Sequence, residues 1–234
     1  HVARCGSTLV SQLLKLLDGA VVYSEPLPVN EILLPPHKWV RGELVAALRS
    51  LSIALARHAK SRYLLKLTSW NTLYCDIVAE AFPDSPWILC VRDPVEVGVS
   101  LLQQPPGWLT ELSAVVDPEG GSKSREEYVA RLYGALCEAA ARLDPRRGRL
   151  VSYETLPAAV WEIVAPQFAL EIDRETQERM AQTAGRNSKS PLGKDSRFDA
   201  DSIAKQAAAS STLLWAIERF ARPRLQELVR LHSS

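Results

Sequence analysis

The chain has almost no methionine, one residue in 234, and only four histidines and four cysteines. The cysteines, Cys5, Cys75, Cys90 and Cys137, form no CxxC pair and fit no zinc spacing. A reduced, cytoplasmic setting is the simplest expectation, with no metal called for. Neither sign of charge is in excess. Lys and Arg number 28 against 27 Asp and Glu, which leaves +1 and excludes a broad field for nucleic acid or an acidic membrane. Any anion site must be local. No apolar run is long enough to cross a bilayer, and no signal-peptide pattern is visible. Repeats and low-complexity tracts are missing too. What remains is ordinary for a globular enzyme: 47% hydrophobic and 24% charged residues, in a length that suits one well-buried domain over 1–234.

The opening stretch is the most informative. Arg4-Cys5-Gly6-Ser7-Thr8-Leu9 reads as an anion-binding loop running into a helix over Leu9–Leu17. Gly6 lets backbone approach a ligand, Ser7 and Thr8 are expected to cap the helix, and Arg4 brings a fixed positive charge. Free first-turn N–H groups and the helix dipole favour a phosphate or sulfate. The loop is not an ATP-type P-loop, because no Lys stands before Ser7 and no Gly precedes Arg4. Such loops follow a buried strand, so the first strand is expected to begin upstream of position 1.

Strands are expected at 20–23, 63–67, 87–91 and 149–153. Helices are expected at 42–58, 71–82, from Pro94, at 125–143, up to Phe168, at 173–184, and at 203–231 with a break near Pro223. The prolines at 26, 28, 35 and 36 predict a loop, and 103–123 reads as a mobile one. This alternation predicts an α/β fold, a mainly parallel sheet covered by helices on both faces in three layers. Ligands then bind beyond the carboxyl ends of the strands, which gathers Arg4 to Thr8, Glu25, Lys66, Arg92 and Tyr153 on one rim.

A second segment, Val91-Arg92-Asp93-Pro94-Val95-Glu96-Val97-Gly98-Val99-Ser100, puts an Arg at a strand end and a hydroxyl eight positions later on the following helix. Asp93 caps that helix and Pro94 starts it. Gly98 weakens a helix by roughly 1 kcal/mol relative to Ala, so something is expected to approach closely there. Arg92 and Ser100 together suit a phosphate monoester. The plainer alternative pairs Arg92 with Glu96 or Asp93 and leaves Ser100 on the helix surface.

RCGSTL followed by VRDPVEVGVS resembles the sulfotransferases that use 3′-phosphoadenosine 5′-phosphosulfate (PAPS), and the resemblance runs from Arg4 to about Tyr153. It implies a P-loop sulfotransferase fold of bacterial type. It implies that the loop Arg4, Cys5, Gly6, Ser7, Thr8, Leu9 holds the 5′-phosphosulfate and that Arg92 and Ser100 hold the 3′-phosphate. Cys5 departs from the family, which has Ser there. It reads as a small stand-in, although a thiol at a helix N-terminus is also a redox-sensor candidate. The resemblance further assigns Arg4 to the bridging and sulfuryl oxygens and Tyr153 to the adenosine. Among Ser188, Lys189 and Lys205 it seeks the late residues that close over the nucleotide. Lys66 is a second cation or, equally, a snorkelling surface lysine.

Glu25 is the candidate base. It stands 21 residues after Arg4, an offset similar to that in tyrosylprotein sulfotransferases, and Pro26 is expected to hold its backbone extended. Its plain alternative is a solvated strand-end carboxylate. Cytosolic sulfotransferases use a His instead, for which His37 and His58 are available. Trp108, after Pro105-Pro106-Gly107, is a candidate lid over the acceptor. The expected activity is sulfuryl transfer to a hydroxyl or amine of a small molecule or peptide. The rivals are a nucleotide-dependent phosphotransferase and a non-catalytic nucleotide-binding relative.

Overall fold

Four short strands in two parallel pairs carry the frame, and helices make up most of the rest, an α/β mixture. The structure, a computed structural model, describes residues 1–34, 39–57, 59, 62–117, 120–185 and 202–232. The expectations placed on His37, His58, Ser188 and Lys189 lie outside the described residues.

Helix α1 (Ser7–Leu14) leads to β1 (Ala20–Ser24), α2 (Leu27–Leu33) and α3 (Arg41–Ala56). Strand β2 (Arg62–Lys66) follows, then a 3-10 turn (Ser69–Tyr74) and α4 (Cys75–Ala81). Strand β3 (Trp87–Val91), α5 (Pro94–Gln103), the short α6 (Trp108–Glu111) and α7 (Ser113–Val116), and α8 (Arg125–Ala141) complete the middle. After β4 (Gly148–Ser152) come a π-helical turn (Val160–Val164), α9 (Ala165–Gln167) and α10 (Arg174–Ala184). The last segment holds α11 (Ser202–Ala207), α12 (Ser211–Ala216), a π turn (Ile217–Ala221) and α13 (Arg222–His232).

Strand β1 runs parallel to β2 with Ala20 opposite Arg62 and Ser24 opposite Lys66, and β3 runs parallel to β4 with Trp87 opposite Gly148. The opening residues join the frame: the Val2 amide donates to the Cys90 carbonyl at 3.1 Å. Each strand carries a short apolar run, which is why all four were visible in the sequence.

Several local expectations are corrected. Pro28 does not hold a loop; it sits in the first turn of α2, where its missing N–H is no loss. The stretch 103–123 is not simply a loop. It contains α6 and α7, buries Leu109 and Leu112, and packs Trp108 against the two apolar clusters. Tyr128 fixes it by donating to the Leu109 carbonyl at 2.7 Å. The interruption in the last helical segment falls between α11 and α12. Pro223 instead continues a helix relaxed by the π turn before it.

Gly98 has a packing reason. A Cβ built there would stand 2.9 Å from Leu213 Cδ1, so the close approach is that of α12 and not of a ligand. Gly98→Ala is expected to destabilise the fold by up to about 2 kcal/mol, overpacking against Leu213 exceeding the roughly 1 kcal/mol of helix propensity gained, measured by urea unfolding. An unchanged midpoint would contradict the contact.

Candidate functional site

The loop between Val2 and α1 turns sharply. Arg4 has φ 58° and Gly6 φ 80°, both left-handed. Gly6 is the N-cap residue, and Ser7 and Thr8 form the first helical positions without capping it by side chain, contrary to expectation. Gly6 is required twice over. Its backbone is left-handed, and a Cβ would meet Leu156 Cδ1 at 2.6 Å and the Tyr153 ring at 3.0 Å. The loop therefore lies directly on the segment that follows β4.

Arg92 comes to the same place. Its Nη1 donates to the Arg4 carbonyl at 3.4 Å, and its guanidinium stacks 3.8 Å from the centroid of the Tyr153 ring. Tyr153 is buried. Arg92 is itself nearly enclosed, with 3% of its side chain exposed, and Nε donates to Glu96 Oε2 at 2.6 Å. The plainer pairing weighed from sequence is thus present. It does not turn Arg92 away from the loop, because the same guanidinium reaches Arg4. Tyr133 steadies this strand end by donating to the Arg92 carbonyl at 2.7 Å. Ser100 is buried on α5, not on its surface.

Asp93 caps α5 as expected, accepting from the Val95 and Glu96 amides at 2.9 and 3.3 Å. Helix α11 lies against this helix start. Ser202 donates to Glu96 at 3.1 Å and Gln206 to Asp93 at 3.0 Å. Helix α11 thus packs on the start of α5 through Ser202 and Gln206. Lys205 is half-buried on the same helix.

On the other side of the loop, Glu25 and Lys66 form an ion pair at the ends of β1 and β2. The Lys66 side chain is 11% exposed, so it is not a snorkelling surface lysine. Glu25 is not extended. Its φ is 53°, because its amide donates to the Lys66 carbonyl at 2.7 Å and the chain must then turn at once into α2. His1 Nε2 lies 3.7 Å from Glu25 Oε1, an ionic contact too long for a hydrogen bond. His1 Nδ1 is 2.8 Å from the Val2 carbonyl and 3.8 Å from Cys5 Sγ. Burial alone would lower the His1 pKa, but the Cys5 and Glu25 contacts outweigh it and raise the value to about 9.

His1 is also the main reason why the Glu25 pKa falls to about 2; burial opposes this and Lys66 adds to it. A depressed carboxylate stabilises the folded state above its unfolded value of 4.5, and the contribution disappears as pH falls through about 2. With 41% of the side chain exposed, solvent screens the pair. The stability gap between the wild type and Glu25→Gln is expected to be present near neutral pH, to shrink below 4.5 and to close near 2. Urea unfolding across this range measures it; a pH-independent gap would remove the charge pair as its cause.

Arg92 and Tyr153 thus lie against the loop at Arg4 and Gly6, while the Glu25–Lys66 pair is linked to it through His1, which contacts both Glu25 and Cys5. The Arg4 guanidinium adds a bond to the Gln104 carbonyl, the C-cap residue of α5. A cleft of about 800 Å³ opens elsewhere, between β4, the π turn and α13. Arg92, Asp93, Arg149, Glu154 and His232 are on its walls, but no residue of 4–9 borders it, nor Glu25 or Lys66. The rim around the loop is defined by the contacts above and not by that cleft. His1, Cys90, Tyr133, Ser202 and Gln206 escaped sequence reasoning as site residues. Only Cys90 carried a signal, as a cysteine within the strand before Arg92.

No protein-family model matches this chain, and no curated protein matches it in sequence. Among the described residues no helix is long and apolar enough to cross a membrane.

Proposed function

We propose that this chain is a sulfotransferase, moving a sulfuryl group from PAPS to an acceptor hydroxyl or amine on a three-layer P-loop sulfotransferase frame. One observation carries the reading: Arg92 touches both the carbonyl of Arg4 and the face of Tyr153, so the two motif segments meet at a single rim. The residues fit an anionic nucleotide. Gly6 gives the turn, the first turn of α1 offers its N–H groups, and among the described residues the Arg4 guanidinium bonds a neutral carbonyl, that of Gln104, and no carboxylate.

When bound, the donor supplies an activated sulfuryl group. Arg4 and Lys66 would neutralise charge on the bridging and sulfuryl oxygens, where it grows most in the transition state. Glu25 would accept the acceptor's proton. The acceptor oxygen or nitrogen forms a bond to sulfur as the bond from sulfur to the bridging oxygen breaks. Adenosine 3′,5′-bisphosphate leaves with that electron pair. Arg92 and Ser100 would grip the 3′-phosphate, and Tyr153 would lie beside the adenosine.

The phosphotransferase rival is disfavoured by Asp93. That carboxylate is already held by two backbone amides, Gln206 and Arg222, and is not presented to a magnesium ion. The enclosed Arg92–Glu96 pair favours the other rival, a non-catalytic nucleotide binder. Calorimetric titration in chelator decides. Tight binding of adenosine 3′,5′-bisphosphate without magnesium, with sulfuryl transfer to a panel of phenols and amines, is the expected result. Preference for magnesium–ATP would overturn the proposal. Bisphosphate binding with no transfer to any acceptor would move the chain to the non-catalytic reading.

A further inference from the structure

The cleft of about 800 Å³ beside β4 takes no part in the chemistry above, yet it has the size of a small-molecule pocket. Helix α13 gives it one wall. Leu225, Val229 and His232 stand four and then three positions apart, so they share a face of the helix, and all three border the cleft. Leu228, beside them, turns into the core instead. Val229 stays 42% exposed although it is apolar, as the wall of an open cleft requires. The π turn after β4 gives a second wall. Its Val160 and Val164 are fully buried, and Glu162 and Ile163 are left to the cleft. Turns of this kind recur at functional sites. Strand β4 adds Leu150 and Ser152 from one face.

The polar groups are unevenly spread. Three residues gather at the start of β4. A Cβ on Gly148 would stand 2.1 Å from the Trp87 ring, so the indole lies directly on that glycine. The His232 ring meets the Trp87 ring edge to face, with centroids 5.1 Å apart. Arg149 follows Gly148, and its Nη1 donates to the Gly148 carbonyl at 2.7 Å. Among the described residues no carboxylate pairs with Arg149, and its guanidinium keeps further N–H groups to donate. Both ring nitrogens of His232 are buried without a hydrogen-bond partner among the described residues. Burial, and then the Arg149 charge, lower its pKa from 6.5, so the ring is neutral at pH 7 with one N–H to give. A half turn about its Cβ–Cγ bond exchanges the nitrogens with ring carbons and leaves the ring plane against Trp87 unchanged. The far end of the cleft is acidic. Val91 is paired with Ser152, so Asp93 and Glu154 leave the sheet at the same end and both line the cleft there.

We propose that this cleft is a second ligand site, which takes a monocarboxylate with an apolar body. The carboxylate sits on the Arg149 guanidinium, whose planar fork matches two carboxylate oxygens. His232 turns its N–H to the same group and thereby loses its unpartnered state. The body lies on Leu150, Ile163, Leu225 and Val229. Glu154 and Glu162 disfavour a second negative charge, which sets the cleft apart from any nucleotide site. It is also separate in space from the loop, sharing only Arg92 and Asp93 with the rim. The site does not depend on the sulfotransferase reading.

The probe is 2-naphthoate, titrated into the native protein and followed by amide NMR shifts. Saturable binding is expected with a Kd of roughly 0.05–1 mM, the shifts concentrating at Leu150, Ile163 and Val229. Arg149→Met should weaken it by roughly ten- to hundredfold. Arg149 is exposed, so the variant keeps its fold, which its spectrum verifies. His232→Phe retains a ring against Trp87 and should weaken binding by roughly three- to tenfold. 2-Naphthylmethylamine and 2-naphthyl phosphate should both bind more weakly than the carboxylate. Absence of saturable shifts, shifts centred on residues 4–9, an amine or phosphate bound as tightly, or equal affinity in Arg149→Met would each overturn the site. Equal affinity in His232→Phe would remove that ring from it. No nucleotide is present in the titration, so its failure and a failure to bind adenosine 3′,5′-bisphosphate are read separately.

Discussion

Replacing Glu25 with Gln leaves adenosine 3′,5′-bisphosphate affinity within a few-fold of wild type and slows sulfuryl transfer by roughly 10²–10⁴-fold. Gln keeps the shape of the side chain and loses its ability to take a proton. The resting protein presents an apparent obstacle: a carboxylate held near 2 is a poor base. That weakness belongs to the unliganded arrangement, in which Lys66 is bonded to Glu25. A donor that draws Lys66 onto its sulfuryl oxygens withdraws one of the depressing charges, and the basicity of Glu25 rises when a proton must be accepted. The acid limb of kcat/KM, which reports the free enzyme, should therefore lie lower in pH than the acid limb of kcat. Steady-state rates across pH check both statements. Near-normal turnover in Glu25→Gln would take this carboxylate out of the mechanism.

Arg92→Met should be the most damaging substitution in the rim, destabilising the fold by about 3–5 kcal/mol because it leaves the buried Glu96 carboxylate without its cation. Only 6% of the Glu96 side chain is exposed, and among the described residues the Ser202 hydroxyl would be the neutral side-chain group still donating to it. Bisphosphate binding should be lost as well, but a destabilised protein makes that result ambiguous. The double variant Arg92→Met, Glu96→Leu removes the ambiguity. Paired apolar replacements often match or exceed a buried ion pair in stability, so the double variant should recover most of the loss in urea unfolding and still fail to bind bisphosphate. Recovery of binding along with stability would show that Arg92 serves packing alone.

Much of this frame was legible in the sequence. The short apolar runs after Ala20, Trp87 and Arg149 read as strands, and Asp93-Pro94 announced the start of α5 through two residues with fixed roles at helix N-termini. Lys66 and Glu25 were both noticed, and register explains why they meet, since each stands at the end of one of two paired parallel strands. What escaped was decided by tertiary neighbours. Gly98 suggested a ligand, but its neighbour is Leu213, more than a hundred positions away. Pro26 argued for extended backbone at Glu25, and the demand that β1 turn directly into α2 prevailed.

Arg4 grips α5 at both extremities. Its carbonyl receives Arg92 just before the helix begins, and its guanidinium holds the Gln104 carbonyl where the helix stops. An anion that claims this guanidinium must compete with Gln104, so filling the loop would loosen the far tip of α5 and the short helices after it. Occupancy would then be broadcast about 15 Å along a helix of ten residues, to a stretch that touches no phosphate.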